Sequence, residues 1–198
     1  MLEEVKGDRQ TTLLMSKPKL PKTSLDPFKI FQHASRFHAS DYRLRSTLNA
    51  SNIGMIAIPA NVLSVFTSEL YLKCLLCVET GIVPDTHNLK ALFKRLKPVT
   101  RRALEDLWDA DIRLPHKQKV LDVIRTMPEG KNLRPDLIYA LDVGANSFIE
   151  LRYFYEKKKA FFLLDEFPKM LRKVILNRFP AWETGLDTTS PLEVLGDP

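Results

Sequence analysis

Apolar positions along the chain recur mostly three and four residues apart, the period of helices, and prolines, glycines and capping residues punctuate them. Residues 1–25 break that rule: they mix charge with proline (KPKLPKT, 17–23) and carry no period, which predicts a flexible arm. Asp26 and Pro27 pair an N-cap with the residue best tolerated at the first helical position, and open a helix reaching about Leu44 that carries Phe28, Phe31 and Phe37. Gly54 and Pro59 bracket an expected break. From Pro59 to Thr80 the chain is apolar on nearly every side and then meets Gly81, a C-terminal stop, so a buried central helix is expected there.

Shorter stripes follow. Asp85 and Thr86 offer caps for a helix bearing Leu89, Leu92, Phe93 and Leu96 before Pro98. Leu104, Leu107, Trp108 and Ile112 repeat the spacing up to Pro115, and Val120, Ile124 and Met127 suggest a short helix stopping at Pro128. Asp136 begins a second long segment in which Leu137, Leu141, Gly144, Phe148, Leu151 and Tyr155 make a seam suited to lengthwise packing, with Gly144 letting backbones approach. Ala160 to Leu164 reads as extended. Phe167, Met170, Leu171, Val174 and Ile175 form a last amphipathic helix, and after Trp182 the tail reads as loose.

Composition supports an all-α reading. Seven glycines against 13 prolines mean few flexible turns and many firm helix boundaries. Hydrophobic residues at 44% and charged residues at 27% are ordinary for a globular protein, and 198 residues suit one helical domain over 26–182 with a tail at 183–198. An uninterrupted apolar run of about 18 residues and a signal-peptide start are both missing, so no membrane partner and a cytoplasmic location are expected. Cys74 and Cys77 lie within the apolar central helix, where packing is a better account than a redox pair or zinc. His33, His38, His87 and His116 lack ligand spacing; no metal and no cofactor are expected. The net charge of +6 permits contact with RNA without requiring it.

Charge on the central helix changes the picture. At about 100° per residue, Glu69 and Lys73 fall among Val62, Phe66, Leu76 and Cys77, on a face that should be buried. Their spacing, with Glu first, lets them pair. The same wheel sets Arg152 beside Phe148, Leu151 and Tyr155, as a partner for Glu69, and His87 is within reach after the turn. A buried network that fixes helix register accounts for Glu69, Lys73 and Arg152; a phosphate- or base-binding cleft, with Arg152 as forked donor and His87 as proton carrier, is the functional alternative.

Three motifs in order, SELYLKCLL (68–76), HNLKALFKRL (87–96) and FIELRYFYE (148–156), resemble a branch of HEPN-type helical domains with an SFELxLK-like helix, an HDL-like loop and helix, and an RY-containing helix. The resemblance covers roughly Pro59 to Lys159. It implies an antiparallel helical bundle, homodimerisation, and association with RNA, nucleotide transfer, or defence and toxin–antitoxin systems. HEPN ribonucleases carry an Arg, four to six residues, then a His; here Lys157, Lys158 and Lys159 follow Arg152 at those positions, while Arg36 and Arg113 precede His38 and His116 too closely. The standard ribonuclease pair is therefore missing.

Lys157 to Lys159 at a helix end would meet the negative end of the helix dipole. Joined with Lys94, Arg95, Lys97, Arg101 and Arg102, they would instead make a phosphate-contacting patch, with Tyr153 and Tyr155 for stacking. The resulting expectation is a HEPN-like binding or regulatory homodimer that holds RNA or another protein in a stress, defence or toxin–antitoxin setting without cleaving. The alternatives are a divergent nuclease or nucleotide-acting enzyme using Glu69, His87 and Arg152, and an interaction subunit whose partner protein is anchored by Trp108, Trp182 and the N-terminal arm.

Overall fold

The computed structural model describes residues 25–145, 151 and 163–184. Among them the regular structure is entirely helical: α1 (Pro27–Ser46), α2 (Ile53–Thr80), α3 (Leu89–Arg95), α4 (Pro98–Ile112), α5 (Pro115–Thr126), α6 (Leu137–Val143) and α7 (Phe167–Arg178). Single 3-10 turns follow α5 and α7, at Pro128–Gly130 and Pro180–Trp182.

Most boundaries are set by local chemistry. Asp26 accepts the Phe28 N–H at 2.9 Å and Asp136 accepts the Tyr139 N–H at 2.8 Å, each satisfying a donor the first turn leaves unpaired. Proline occupies the first turn of α1, α4, α5 and α7, where its missing N–H costs nothing. Gly81 closes α2 with φ of +68°, its N–H donating to the Cys77 carbonyl at 2.8 Å. Other side chains rarely adopt that conformation.

α2 is the spine of the core. Val65, Tyr71, Leu72, Cys74, Leu75 and Leu76 are buried within it, facing Phe31 and Ala34 of α1, Leu89, Leu92 and Phe93 of α3, and Leu171, Val174 and Ile175 of α7. The start of α1 lies beside Cys74 and its end beside Asn61. Both cysteine thiols donate to backbone carbonyls, Cys74 to Pro27 and Cys77 to Leu25. Burial pushes the Cys74 thiol up to about 12 and raises Cys77 as well, so neither is a reactive thiolate. By length and mean hydropathy alone the same helix could cross a bilayer, a property that core helices share.

Four local expectations need correction. Gly54 and Pro59 do not break the chain: α2 begins at Ile53 and Pro59 lies inside it. The hydrogen bond that Pro59 cannot donate would have gone to Met55, 81% exposed, whose carbonyl can turn to water. Asn88, rather than Asp85 or Thr86, caps α3, accepting the Ala91 N–H at 2.8 Å. α5 buries Leu121, whereas Val120 and Met127 are exposed. Gly144 caps the end of α6 rather than opening a helix seam. The continuation of that segment through Phe148 and Tyr155 lies outside the described residues; Leu137, Leu141 and Leu151 are buried as the pattern required.

Candidate functional site

Glu69 sits midway along α2, one turn before Lys73, on the face covered by neighbouring helices, and its side chain is only 2% exposed. An isolated carboxylate there would lose several kcal/mol of solvation, so it must recruit donors. Lys73 Nζ lies 2.8 Å from Oε1, itself only 13% exposed. After α2 ends at Thr80, the chain bends at Gly81 and again at Asp85, next to buried Pro84. Thr86 Oγ1 accepts the Asn88 N–H and Asn88 caps α3, which fixes the backbone on either side of the intervening residue.

That residue is His87. Its Nδ1 lies 3.0 Å from both Glu69 oxygens. An ionised carboxylate only accepts, so the Nδ1–H donates. The side chain remains 53% exposed. A buried carboxylate thus orients a solvent-facing imidazole, the relation of orienting group to general base, while Lys73 balances the carboxylate's charge. Of the sequence candidates, Glu69, Lys73 and His87 meet; Arg152, Tyr153, Lys157, Lys158 and Lys159 lie outside the described residues.

The basic candidates begin at the last turn of α3, with Lys94 and Arg95, and continue into α4. Lys94, Arg95, Lys97 and Arg102 are exposed and Arg101 is half-buried, with its Nε lacking a hydrogen-bond partner. Among the described residues none of these five makes an ion pair within 4 Å; Lys90, on the same run, is paired with Asp142.

Three further polar clusters were not read from the sequence. Glu79 accepts the Lys97 N–H at 2.7 Å and an Arg178 N–H at 2.9 Å, and also bonds Thr100, tying together α2, the start of α4 and the end of α7. Burial pushes the Glu79 pKa up, but these donors outweigh it and hold the carboxyl below its usual range. Asp41 is buried and takes Arg45 Nε at 2.9 Å; burial, helped by Asp165 and Glu166, raises its pKa to about 6 against the pull of Arg45. Tyr71 bonds Ser35 at 3.1 Å and His38 Nδ1 at 3.3 Å, and burial followed by nearby Arg172 and Lys169 lowers His38 to about 4. Glu79 and Tyr71 pair with residues far apart in sequence, so only the fold reveals them, whereas Asp41 and Arg45 are four apart and only the burial of the pair and the charges of Asp165 and Glu166 come from the fold.

The two tryptophans are not free anchors. Trp108 is buried with its Nε1–H donating to the Pro135 carbonyl at 2.7 Å, and Trp182 stacks on Phe179 with centroids 4.3 Å apart while touching Phe28 and Phe31. Compared with protein-family models, curated proteins and solved structures, the chain matches none.

Proposed function

We propose that this chain is a HEPN-like antiparallel helical bundle that pairs as a homodimer and holds RNA in a defence or toxin–antitoxin setting, without standard HEPN ribonuclease chemistry. The observation that carries the reading is the stretch from His87 to Arg102: it holds six lysines and arginines and no carboxylate. Lys94, Arg95, Lys97 and Arg102 are exposed there, starting seven residues beyond His87. Such a surface neutralises phosphates in any sequence context, which gives affinity that falls steeply with salt. The meeting of Glu69 and Lys73 with His87 joins the first two of the three motifs that carry the resemblance.

The test is filter binding of single-stranded RNA across a salt series, with light scattering on the same preparation. Replacing Lys94, Arg95 and Arg102 together by Ala should weaken binding about equally for all sequences and flatten the salt slope by about one per lost phosphate contact. A monomer without salt-dependent RNA affinity would overturn the reading.

One observation favours a second reading, a divergent enzyme acting on RNA or nucleotides: a half-exposed imidazole whose Nδ1 is held by a buried carboxylate. Loss of turnover in His87→Ala at unchanged RNA affinity, with only the small fall in melting temperature that one lost hydrogen bond brings, would support it. Undiminished turnover would exclude His87 as the base.

A further inference from the structure

A cleft of about 470 Å³ lies away from the Glu69–His87 pair, between the facing parts of α1 and α2, the helices α4 and α5, and the residues that lead into α7. Its size is that of a small-molecule site. Trp108, Ile112, Leu121 and Ile124 supply an apolar wall. With its indole N–H already committed to Pro135, Trp108 offers the cleft only hydrocarbon surface.

Among the described residues, the charged groups of the lining and their ion-pair partners comprise five carboxylates and four cations. Arg45 is claimed by Asp41 at 2.9 Å and donates to Asn61 at 3.1 Å, and Arg134 is claimed by Asp136 at 3.3 Å. The remaining carboxylates in the lining are Asp111, Asp165 and Glu166. Lys117 is shared by the first two, at 3.8 and 3.4 Å, and among the described residues Glu166 pairs with Lys169 alone, at 3.7 Å with an exposed side chain. His116, also in the lining, is exposed. The surplus negative field reaches beneath Arg45, since Asp165 and Glu166 both add to the raised pKa of Asp41 there.

We propose that this cleft binds a small organic cation, with an apolar or aromatic body lying on Ile112, Leu121 and Ile124 and an ammonium group taken by Asp165 and Glu166. Desolvation by the wall strengthens the ammonium–carboxylate attraction, and an anion of the same shape is repelled by the same groups. The proposal stands apart from the RNA reading and uses none of its residues.

Calorimetric titration of the full chain with 2-(1-naphthyl)ethylamine and, separately, 3-(1-naphthyl)propionate tests it, because the two probes share a body and differ in charge. The amine should bind at one saturable site, about tenfold or more tighter than the acid. Asp165→Asn with Glu166→Gln should erase that preference, and Ile124→Trp should block the amine by filling the cleft. If the double variant melts early, Glu166→Gln alone, at a half-exposed position, should still lower amine affinity severalfold. Equal binding of both probes, no saturable binding of the amine at millimolar concentration, or amine affinity unchanged in Glu166→Gln would overturn the proposal.

Discussion

His87 Nδ1 lies 3.0 Å from both oxygens of Glu69, although the histidine belongs to a loop and the glutamate to the middle of the preceding helix. The two are brought together by a reversal at Gly81, buried Pro84 and a cap at Asn88. They are unequal partners, since one is sealed and the other is half in solvent.

That inequality predicts different costs. Glu69→Ala leaves the little-exposed Lys73 ammonium without its carboxylate and should destabilise the fold by about 3–5 kcal/mol. His87→Ala leaves Glu69 paired with Lys73 and should cost about 1 kcal/mol, the net worth of an ordinary hydrogen bond. Urea denaturation of both variants reads the difference directly, and equal losses would contradict the assigned burial.

Asp41 and His38 should oppose each other as pH changes. Asp41 has its folded pKa raised from 3.8 to about 6, so the stability it lends is full at low pH and is lost as pH rises through 6. His38 is lowered from 6.5 to about 4, so its contribution is present above 6.5 and is lost as pH falls towards 4. Between pH 4 and 6 the slopes have opposite signs. In Asp41→Asn stability should climb with pH across this window more steeply than in the parent, and in His38→Gln it should fall. Urea midpoints at half-unit pH steps check both.

Gly81→Ala should cost about 1 kcal/mol, the penalty for a left-handed residue. A Cβ there meets nothing within 4 Å, so backbone conformation alone sets the loss. Gly81→Asn, which tolerates the left-handed region better, should recover part of it in the same melting assay.

Glu79→Ala should lower stability by about 2–3 kcal/mol, because it removes the acceptor for Arg178 and for the N–H that opens α4. The depressed pKa gives this contribution a direction: it is present above the ordinary carboxylate range and lost as pH falls through the lower folded value. Acid titration of the parent and the variant by circular dichroism should therefore converge at low pH.

What the sequence discloses is what period and caps can carry. The Asp26 and Asp136 caps, the burial of Glu69 on α2 and the apolar face of α7 each follow from residues within a few turns of one another. Pro59 misleads because helix breaking depends on whether the orphaned carbonyl can reach water, and exposure is a tertiary property. Val120 and Met127 mislead because a short helix with apolar residues on two faces leaves its neighbours to choose between them. Glu79 with Arg178, 99 positions apart, has no local signature, nor has Tyr71 with Ser35 and His38. The cleft beside Trp108 draws on three separate stretches of chain and is invisible for the same reason.

Pro59 also divides α2 into unequal parts. Before it no residue of the helix is buried, whereas from Ala60 to Cys77 twelve are. Opening the first turns therefore uncovers little apolar surface, while opening the remainder dismantles the centre of the molecule. Amide exchange should report this as a step in protection at the proline: fast exchange through a local event ahead of it, and behind it exchange limited by global unfolding.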